Sequence, residues 1–130
     1  MDEPQWVEEE SVLKIHDLQL GQHGGMAGLR DAGMLSSALH RFRNLWGYLR
    51  DAADLAALAA AYASGIARNH PFIDGNKRTA AVVCETFLEL NGVELAAGDD
   101  EWYDAMIRLA SGTQSEQELA IWIRERLTKG

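Results

Sequence analysis

One stretch, residues 70–80, gathers the side chains of this chain that could carry chemistry. His70 can accept a proton near neutral pH, and Asp74 offers the hard carboxylate oxygens that bind Mg²⁺ beside phosphates. Lys77 and Arg78 then place two positive charges in a chain whose net charge is −8. A general base, a metal ligand and cations for phosphate are the groups that phosphoryl or nucleotidyl transfer requires.

The backbone pattern of the same stretch favours an anion site. Pro71 disfavours the helical conformation at His70, so a helix should end before it. Gly75 and Asn76 form a turn signal, after which a helical pattern resumes. The first N–H groups of that helix attract anions, and a glycine lets a phosphate approach the backbone closely. A capped helix start with scattered surface charges is the simpler interpretation, but it does not explain cations that oppose the helix dipole.

The residues of this stretch resemble the motif of a known family, and they read His70-x-Phe72-x-Asp74-Gly75-Asn76-Lys77-Arg78. The family is Fic, and the likeness is greatest to its Doc (death-on-curing) toxin branch. The common Fic pattern has a glycine at the position of Lys77 and a second arginine at the position of Ala81. Doc-like members have Lys-Arg-Thr-Ala there, as this chain does. The likeness runs from about Trp6 to the end and includes residues 28–31 and 89–92.

The resemblance implies a role for each residue of the motif. His70 would deprotonate the acceptor hydroxyl, Asp74 would hold Mg²⁺, and Arg78 would stabilise charge during the transfer. Phe72 would pack inward and fix the loop. The nucleotide phosphates would lie against four residues and the backbone N–H groups that follow the glycine: Gly75, Asn76, Lys77 and Arg78.

The resemblance also implies an activity and partners. The chain would be the toxin of a toxin–antitoxin pair that uses ATP and Mg²⁺ to phosphorylate a serine or threonine hydroxyl of a translation factor. In the Doc branch the acceptor is a threonine of elongation factor Tu, and its modification blocks protein synthesis. Many Fic proteins carry an inhibitory Ser/Thr-x-x-x-Glu-Gly/Asn motif, and this sequence has none. Inhibition is therefore expected from a separate antitoxin.

Two positions bear on which phosphate is transferred. In AMP-transferring Fic enzymes, a glycine at position 77 leaves room for the β-phosphate and an arginine at position 81 helps hold the terminal phosphate. With Lys77 and Ala81, we predict that the γ-phosphate faces His70. AMP transfer stays open as the alternative activity. A Fic-fold module that binds nucleotide without turnover, and a helical regulatory subunit that binds none, are alternatives from other classes.

Composition limits the remaining possibilities. Twenty acidic against twelve basic residues, with no basic run, argue against a nucleic-acid surface. The single cysteine excludes an internal disulfide framework. No long apolar run is free of charge, and the N-terminus lacks the pattern of a signal peptide. We expect one soluble, cytoplasmic domain over residues 1–130, without a membrane contact.

The N-terminal third should supply two helices that position the motif. Ser11 could cap the first helix, which the glycine-rich residues 21–28 should end. Asp31 is the expected cap of the second helix. His16 has no partner motif and is interpreted as a surface or packing histidine. Arg30 is expected to pair structurally with a carboxylate rather than to bind substrate.

Residues 43–50 interrupt the helical pattern with a glycine between two aromatic residues. In the resembled family this position is a short β-hairpin, the flap, which holds a target peptide beside the active site. Trp46 and Tyr48, on either side of Gly47, would point the same way on a strand. They are equally compatible with core positions.

The rest of the chain predicts further helices. Asp51 or Asp54 should cap an alanine-rich helix that is buried, and Ser115 begins a capping-box pattern. Residues 93–95 form a short extended segment that could pair near Trp6. The predicted architecture is all-α. It is a compact Fic-fold helical bundle with a possible small β-hairpin flap.

Overall fold

The computed structural model describes residues 3–48 and 54–129 and confirms an all-helical architecture. No helix among these residues is long and apolar enough to cross a membrane. In chain order the elements are α1 (Glu9–His23), α2 (Ala32–Tyr48), α3 (Leu55–Ala67), α4 (Asn76–Leu90), β1 (Val93–Leu95), α5 (Asp99–Ser111), α6 (Glu116–Arg124) and β2 (Leu127–Lys129).

The alanine-rich helix α3 is buried, as predicted, and packs mainly against α2, α4 and α6. Its residues from Leu58 to Ala67 are all buried. Small side chains allow close helix approach: a Cβ on Gly65 would lie 2.7 Å from the Cβ of Ala38 in α2. Asp54 caps α3 by accepting a hydrogen bond from the Ala57 N–H at 2.8 Å. Asp51, the alternative cap, lies outside the described residues.

Helix α4 also contributes to the core, and it begins within the 70–80 motif. Its inner face buries Val83, Cys84 and Phe87, and the Phe87 ring lies 4.9 Å from that of Tyr62 in α3. Burial raises the pKa of the Cys84 thiol, which donates a hydrogen bond to the Ala59 carbonyl at 3.3 Å. The helix that carries the motif is therefore fixed along most of its length.

The predicted start of α1 is wrong. The helix begins earlier than Ser11, with Glu8 at the N-cap position, and acidic residues in its first turn suit the helix dipole. It also passes the first glycine of the 21–28 segment and ends at His23. Leu18, within this helix, is 64% exposed. The cap of α2 is confirmed, since Asp31 accepts a hydrogen bond from the Met34 N–H at 3.0 Å.

The flap predicted over residues 43–50 is not a hairpin where the structure describes it. Helix α2 continues to Tyr48, because one glycine costs a helix only about 1 kcal/mol and aromatic packing holds its last turns. Trp46 meets Trp6 edge to face at 6.5 Å between ring centres. Tyr48 is 87% exposed, so the two flanking aromatics do not share a face. Residues 49–50 lie outside the described residues.

The short strand β1 has a different partner from the one predicted. It pairs antiparallel with β2, with Leu95 opposite Leu127, whereas the sequence pattern placed it near Trp6. The N-terminal segment is held instead by Asn91, whose side chain exchanges two hydrogen bonds with the Gln5 backbone. The capping box at Ser115 is confirmed.

Candidate functional site

The motif occupies the loop between α3 and α4. As predicted, α3 ends before His70, at Ala67. His70 adopts a left-handed backbone conformation with φ of 50°, and its side chain is exposed. Gly75 is also left-handed, with φ of 76° and ψ of 16°, and stands at the N-cap of α4. A residue with a Cβ would be strained at Gly75, so the glycine is required by the turn.

The start of α4 has no side-chain cap. The first helical hydrogen bond runs from the Thr79 N–H to the Gly75 carbonyl at 3.0 Å. Among the described residues, the N–H groups of residues 76–78 have no hydrogen-bond partner, as expected for the first turn of a helix. Lys77 and Arg78 stand in the same turn. The local chemistry favours an anion.

A cleft of about 360 Å³ opens in front of this helix start. One wall is the motif, from Asp74 to Arg78, and the other is the end of α1 together with Gly24 and Gly25. Tyr103 of α5 closes a side, and the guanidinium of Arg78 lies over its ring at 4.5 Å from the centre. The structure therefore brings the predicted phosphate-binding residues together, whereas His70 belongs to the same loop but does not line the cleft.

The carboxylate of Asp74 is held at the mouth of the cleft. Its Oδ1 accepts a hydrogen bond from the Gly75 N–H at 2.9 Å, and its Oδ2 accepts one from the Met26 N–H at 3.2 Å. Gly25 is needed beside it, because a Cβ there would lie 2.9 Å from Oδ2. These contacts fix the carboxylate through backbone groups of two separate segments, and each oxygen keeps a further lone pair.

Asp74 suits Mg²⁺ only in one mode of binding. Among the described residues, no three His, Cys, Asp or Glu side chains cluster in a way that could hold a metal by themselves. Mg²⁺ commonly keeps several waters and uses one or two carboxylates together with substrate phosphates. The remaining lone pairs of Asp74, beside a phosphate-sized cleft, fit that mode.

The side chain of Asn76 is bound within the loop itself. It is buried, with 8% exposed, and its amide is engaged by the backbone of Phe72. Its Oδ1 accepts from the Phe72 N–H at 3.0 Å, and its Nδ2 donates to the Phe72 carbonyl at 2.9 Å. The Asn76 side chain therefore braces the loop, and only its backbone N–H remains for a phosphate. Phe72 itself points inward with 1% exposed, as expected.

His16 supports the motif in a way that the sequence did not reveal. Its ring is 3% exposed and stacks on Phe72, with the ring centres 3.8 Å apart and the planes 9° from parallel. Its Nε2 lies 2.8 Å from the Asp74 carbonyl oxygen, so Nε2 carries the proton. Of the two interpretations left open for His16, a surface or a packing histidine, packing is the right one. Its link to Asp74 left no signal in the sequence, because the partner is a backbone carbonyl.

The extended segment beside the motif is residues 28–30 rather than residues 46–48. Leu29 forms an isolated antiparallel bridge with Phe72, and the Ile73 N–H donates to the Gly28 carbonyl at 3.0 Å. Trp46, Gly47 and Tyr48 do not line the cleft.

Arg30, in the same extended segment, has no carboxylate partner among the described residues, contrary to the prediction. Its guanidinium donates to the backbone carbonyls of His70 and Asn69 at 2.6 and 2.7 Å. Arg30 therefore contacts the motif directly through two carbonyl oxygens.

The cleft continues along α4 into a second cavity of about 370 Å³. Arg78 and Tyr103 line both cavities, and Ala81 and Glu85 line the second. Burial raises the pKa of the Glu85 carboxyl, and the negative charge of Asp99 raises it further. The first cavity is thus cationic at the start of α4, and the second is acidic at Glu85, about two turns farther along the helix.

Comparison with known proteins agrees with this geometry. The model of the Fic/DOC family matches residues 6–88. "Protein kinase doc" of Escherichia phage P1 is 30% identical over 118 residues, which cover 91% of this chain and 92% of that protein. "Toxin Doc" of Mycolicibacterium smegmatis is 38% identical over 106 residues, which cover 74% of this chain and 72% of that protein. The chain therefore belongs to the Fic/DOC family.

Proposed function

We propose that this chain is the toxin of a toxin–antitoxin pair and transfers the γ-phosphate of ATP to a serine or threonine hydroxyl of a translation factor. Elongation factor Tu is the acceptor that the family likeness suggests. The names of the two relatives, a protein kinase and a toxin, support the class of activity.

The observation that carries the proposal is the uncapped start of α4 beside a fixed carboxylate. Free N–H groups, Lys77 and Arg78 converge on one cleft with Asp74. Unneutralised cations at a helix start are unfavourable, and a triphosphate relieves that repulsion. Asp74 is the residue that would hold Mg²⁺, and the ion would supply positive charge to the transferred phosphate.

In the transfer step the acceptor oxygen attacks the γ-phosphorus. The new O–P bond forms as the bond from the γ-phosphorus to the β–γ bridging oxygen breaks, and ADP leaves. The hydroxyl proton passes to the imidazole of His70. That ring is exposed and has no hydrogen-bond partner among the described residues, so it is available to a protein acceptor. Arg78 and the N–H groups of α4 stabilise the phosphate charge.

The charge gradient along the cleft supports phosphate transfer over AMP transfer. In the AMP-transferring orientation of the resembled family, the terminal phosphate lies beside position 81. Here that direction leads to Ala81, which offers no donor, and to the carboxylates of Glu85, Asp99 and Asp100. Phosphates near these carboxylates would be repelled. The opposite orientation places the phosphates at the cationic end and the uncharged nucleoside at the acidic end.

The test is parallel labelling of the acceptor with ATP that carries the label on the α- or the γ-phosphate. Transfer of the γ-label, with a phosphate-sized increase in acceptor mass, is expected, and His70→Ala should lower its rate by about 10²- to 10⁴-fold. An AMP-sized increase would show the alternative activity. Nucleotide binding in titration, without either product on any acceptor tested, would indicate a binding module.

The antitoxin is proposed as a separate chain that binds this one and inhibits it. Expression of the chain alone should therefore arrest growth, and His70→Ala expressed at the same level should not. Harmless accumulation of soluble, active protein would contradict the toxin proposal without contradicting phosphotransfer.

A further inference from the structure

We propose that Arg30 is a positioning residue that holds the backbone of His70 and thereby aims its imidazole at the acceptor hydroxyl. The proposal rests on the role of His70 as the general base. It adds a residue outside the 70–80 motif to the machinery, and it assigns to Arg30 a role other than the pairing with a carboxylate that its charge suggests.

The first observation is the geometry of the guanidinium. Its Nε donates to the His70 carbonyl at 2.6 Å, and its Nη2 donates to the Asn69 carbonyl at 2.7 Å. These two carbonyls belong to the peptide groups on either side of the His70 Cα. The N–H of His70 donates in turn to the Ile66 carbonyl at 3.3 Å. Both peptide planes that determine the direction of the His70 side chain are thus tied, and one side chain holds both.

The second observation is the conformation that these bonds maintain. His70 is the non-glycine residue with positive φ, at 50°, among the described residues. A side chain in this region is disfavoured by contact of its Cβ with the backbone, and it persists only where its surroundings enforce it. Strain of this kind, at the residue proposed to move a proton, needs a local restraint, and Arg30 supplies one.

The third observation is that Arg30 is itself fixed to the motif. Its N–H donates to the Pro71 carbonyl at 2.8 Å, its neighbour Leu29 bridges to Phe72, and its Nη2 lies 3.2 Å from the Met34 sulfur. The planar guanidinium presents two donors at a fixed angle, which an ammonium group does not reproduce. The restraint therefore depends on arginine rather than on positive charge alone.

Arg30 does not line the cleft at the start of α4, and this separates its role from that of Lys77 and Arg78. We expect Arg30→Ala to lower kcat by roughly 100-fold, the order expected when a reacting group is misplaced by about 1 Å. The KM for ATP should stay within about twofold, because phosphate binding is untouched. Arg30→Lys should recover only part of the rate.

A double-mutant cycle with His70→Ala distinguishes positioning from a general loss of structure. If Arg30 acts through His70, Arg30→Ala should change the residual rate of the His70→Ala variant by less than about twofold. An equal loss in both backgrounds would overturn the proposal. The matched control is Arg124→Ala, which removes a guanidinium that pairs through the same two nitrogens, at 2.6 and 3.0 Å, with Asp54. It should leave kcat unchanged.

A structural measurement tests the proposal independently of the activity. In a crystal structure of Arg30→Ala, His70 should leave the left-handed region, or its ring should occupy more than one direction. A His70 that keeps its φ and a single ring direction would overturn the proposal. If wild-type protein phosphorylates no acceptor, the proposed function fails, but this structural comparison still decides whether Arg30 holds His70.

Discussion

Helices α3 and α4 pack against each other in the core but begin in opposite ways. The start of α3 is closed: Asp54 accepts a hydrogen bond from the Ala57 N–H and pairs with Arg124. The start of α4 is open: Gly75 offers no side-chain cap, and the first turn carries cations. At one helix start a side chain satisfies an N–H group of the first turn, and at the other no side chain does.

If the start of α4 binds phosphate as proposed, one pair of helices divides stability and function between its two starts. A cap and an acidic residue at a helix start each stabilise the fold by a fraction of a kcal/mol to about 2 kcal/mol. Helix α4 forgoes both, and burial of residues such as Phe87 and Leu88 holds it instead. Variants at the two starts should therefore separate cleanly into effects on activity and effects on stability.

The largest effect is expected at the motif itself. Replacing His70 by Ala should lower the phosphotransfer rate by about 10²- to 10⁴-fold, the usual contribution of a general base. Melting temperature and affinity for ATP should be nearly unchanged, because the ring is exposed and does not line the cleft. Rates at saturating ATP, measured beside calorimetric titration, check this. Near-wild-type turnover would remove His70 from the mechanism.

A smaller effect is expected on binding at the open start of α4. Lys77→Met should weaken ATP binding roughly 10- to 100-fold, the equivalent of one hydrogen bond to a charged group. The same variant should melt slightly higher in the absence of ATP, since Lys77 opposes the helix dipole. Lys14→Met, at an exposed lysine of α1, is the control and should change neither. A Lys77→Met variant that binds ATP normally would show that the open start does not bind phosphate.

A variant at the closed start of α3 should change stability and leave activity unchanged. Asp54→Ala should lower the free energy of unfolding by about 1 kcal/mol through loss of the cap and leave the rate of transfer intact. The hydrogen bond from Arg124 holds the pKa of Asp54 below its ordinary value of 3.8. The stabilisation is therefore present above that value and is lost as the pH falls through the lower, folded-state pKa. Denaturant titrations of both proteins across this pH range should converge at the acidic end.

The smallest effect is expected at Glu85, where the cleft becomes acidic. Because burial raises its pKa above the ordinary value of 4.5, the folded state holds the carboxyl proton more tightly than the unfolded state. Wild-type stability is therefore undiminished below that value and decreases as the pH rises through the folded-state pKa. Glu85→Gln should melt slightly higher at neutral pH and equally at pH 4. A lower melting temperature of Glu85→Gln at neutral pH would contradict the prediction that ionised Glu85 destabilises the fold.

The helix starts also show what the sequence could predict. Asp31 and Ser115 were identified as caps because a cap and its N–H partner lie within three residues. Arg30 and His16 were not linked to the motif, because their partners are backbone carbonyls 39 to 58 positions away. Every residue has a carbonyl, so such contacts leave no trace in residue type.

The predicted hairpin over residues 43–48 is wrong, and the contacts of the Asn76 side chain were not predicted, for related reasons. A glycine between aromatic residues occurs both in hairpins and in helices that tolerate one poor helix former. Here the packing of Trp46 on Trp6 favours the helix. The motif pattern places an amide beside the phosphates, but only the folded loop shows that Asn76 is engaged by Phe72. The residue types were enough to locate the loop. The contacts of each residue in it depend on the tertiary structure.

The burial of Cys84 between α3 and α4 makes the chain's single thiol a reporter of opening motions. A thiol reagent can reach it only when these two helices separate, so its rate of modification measures how often the core opens. A cysteine introduced at the exposed Tyr48 position would react at once under the same conditions. Fluorescent labels could then follow the binding of a partner chain while Cys84 remains unmodified.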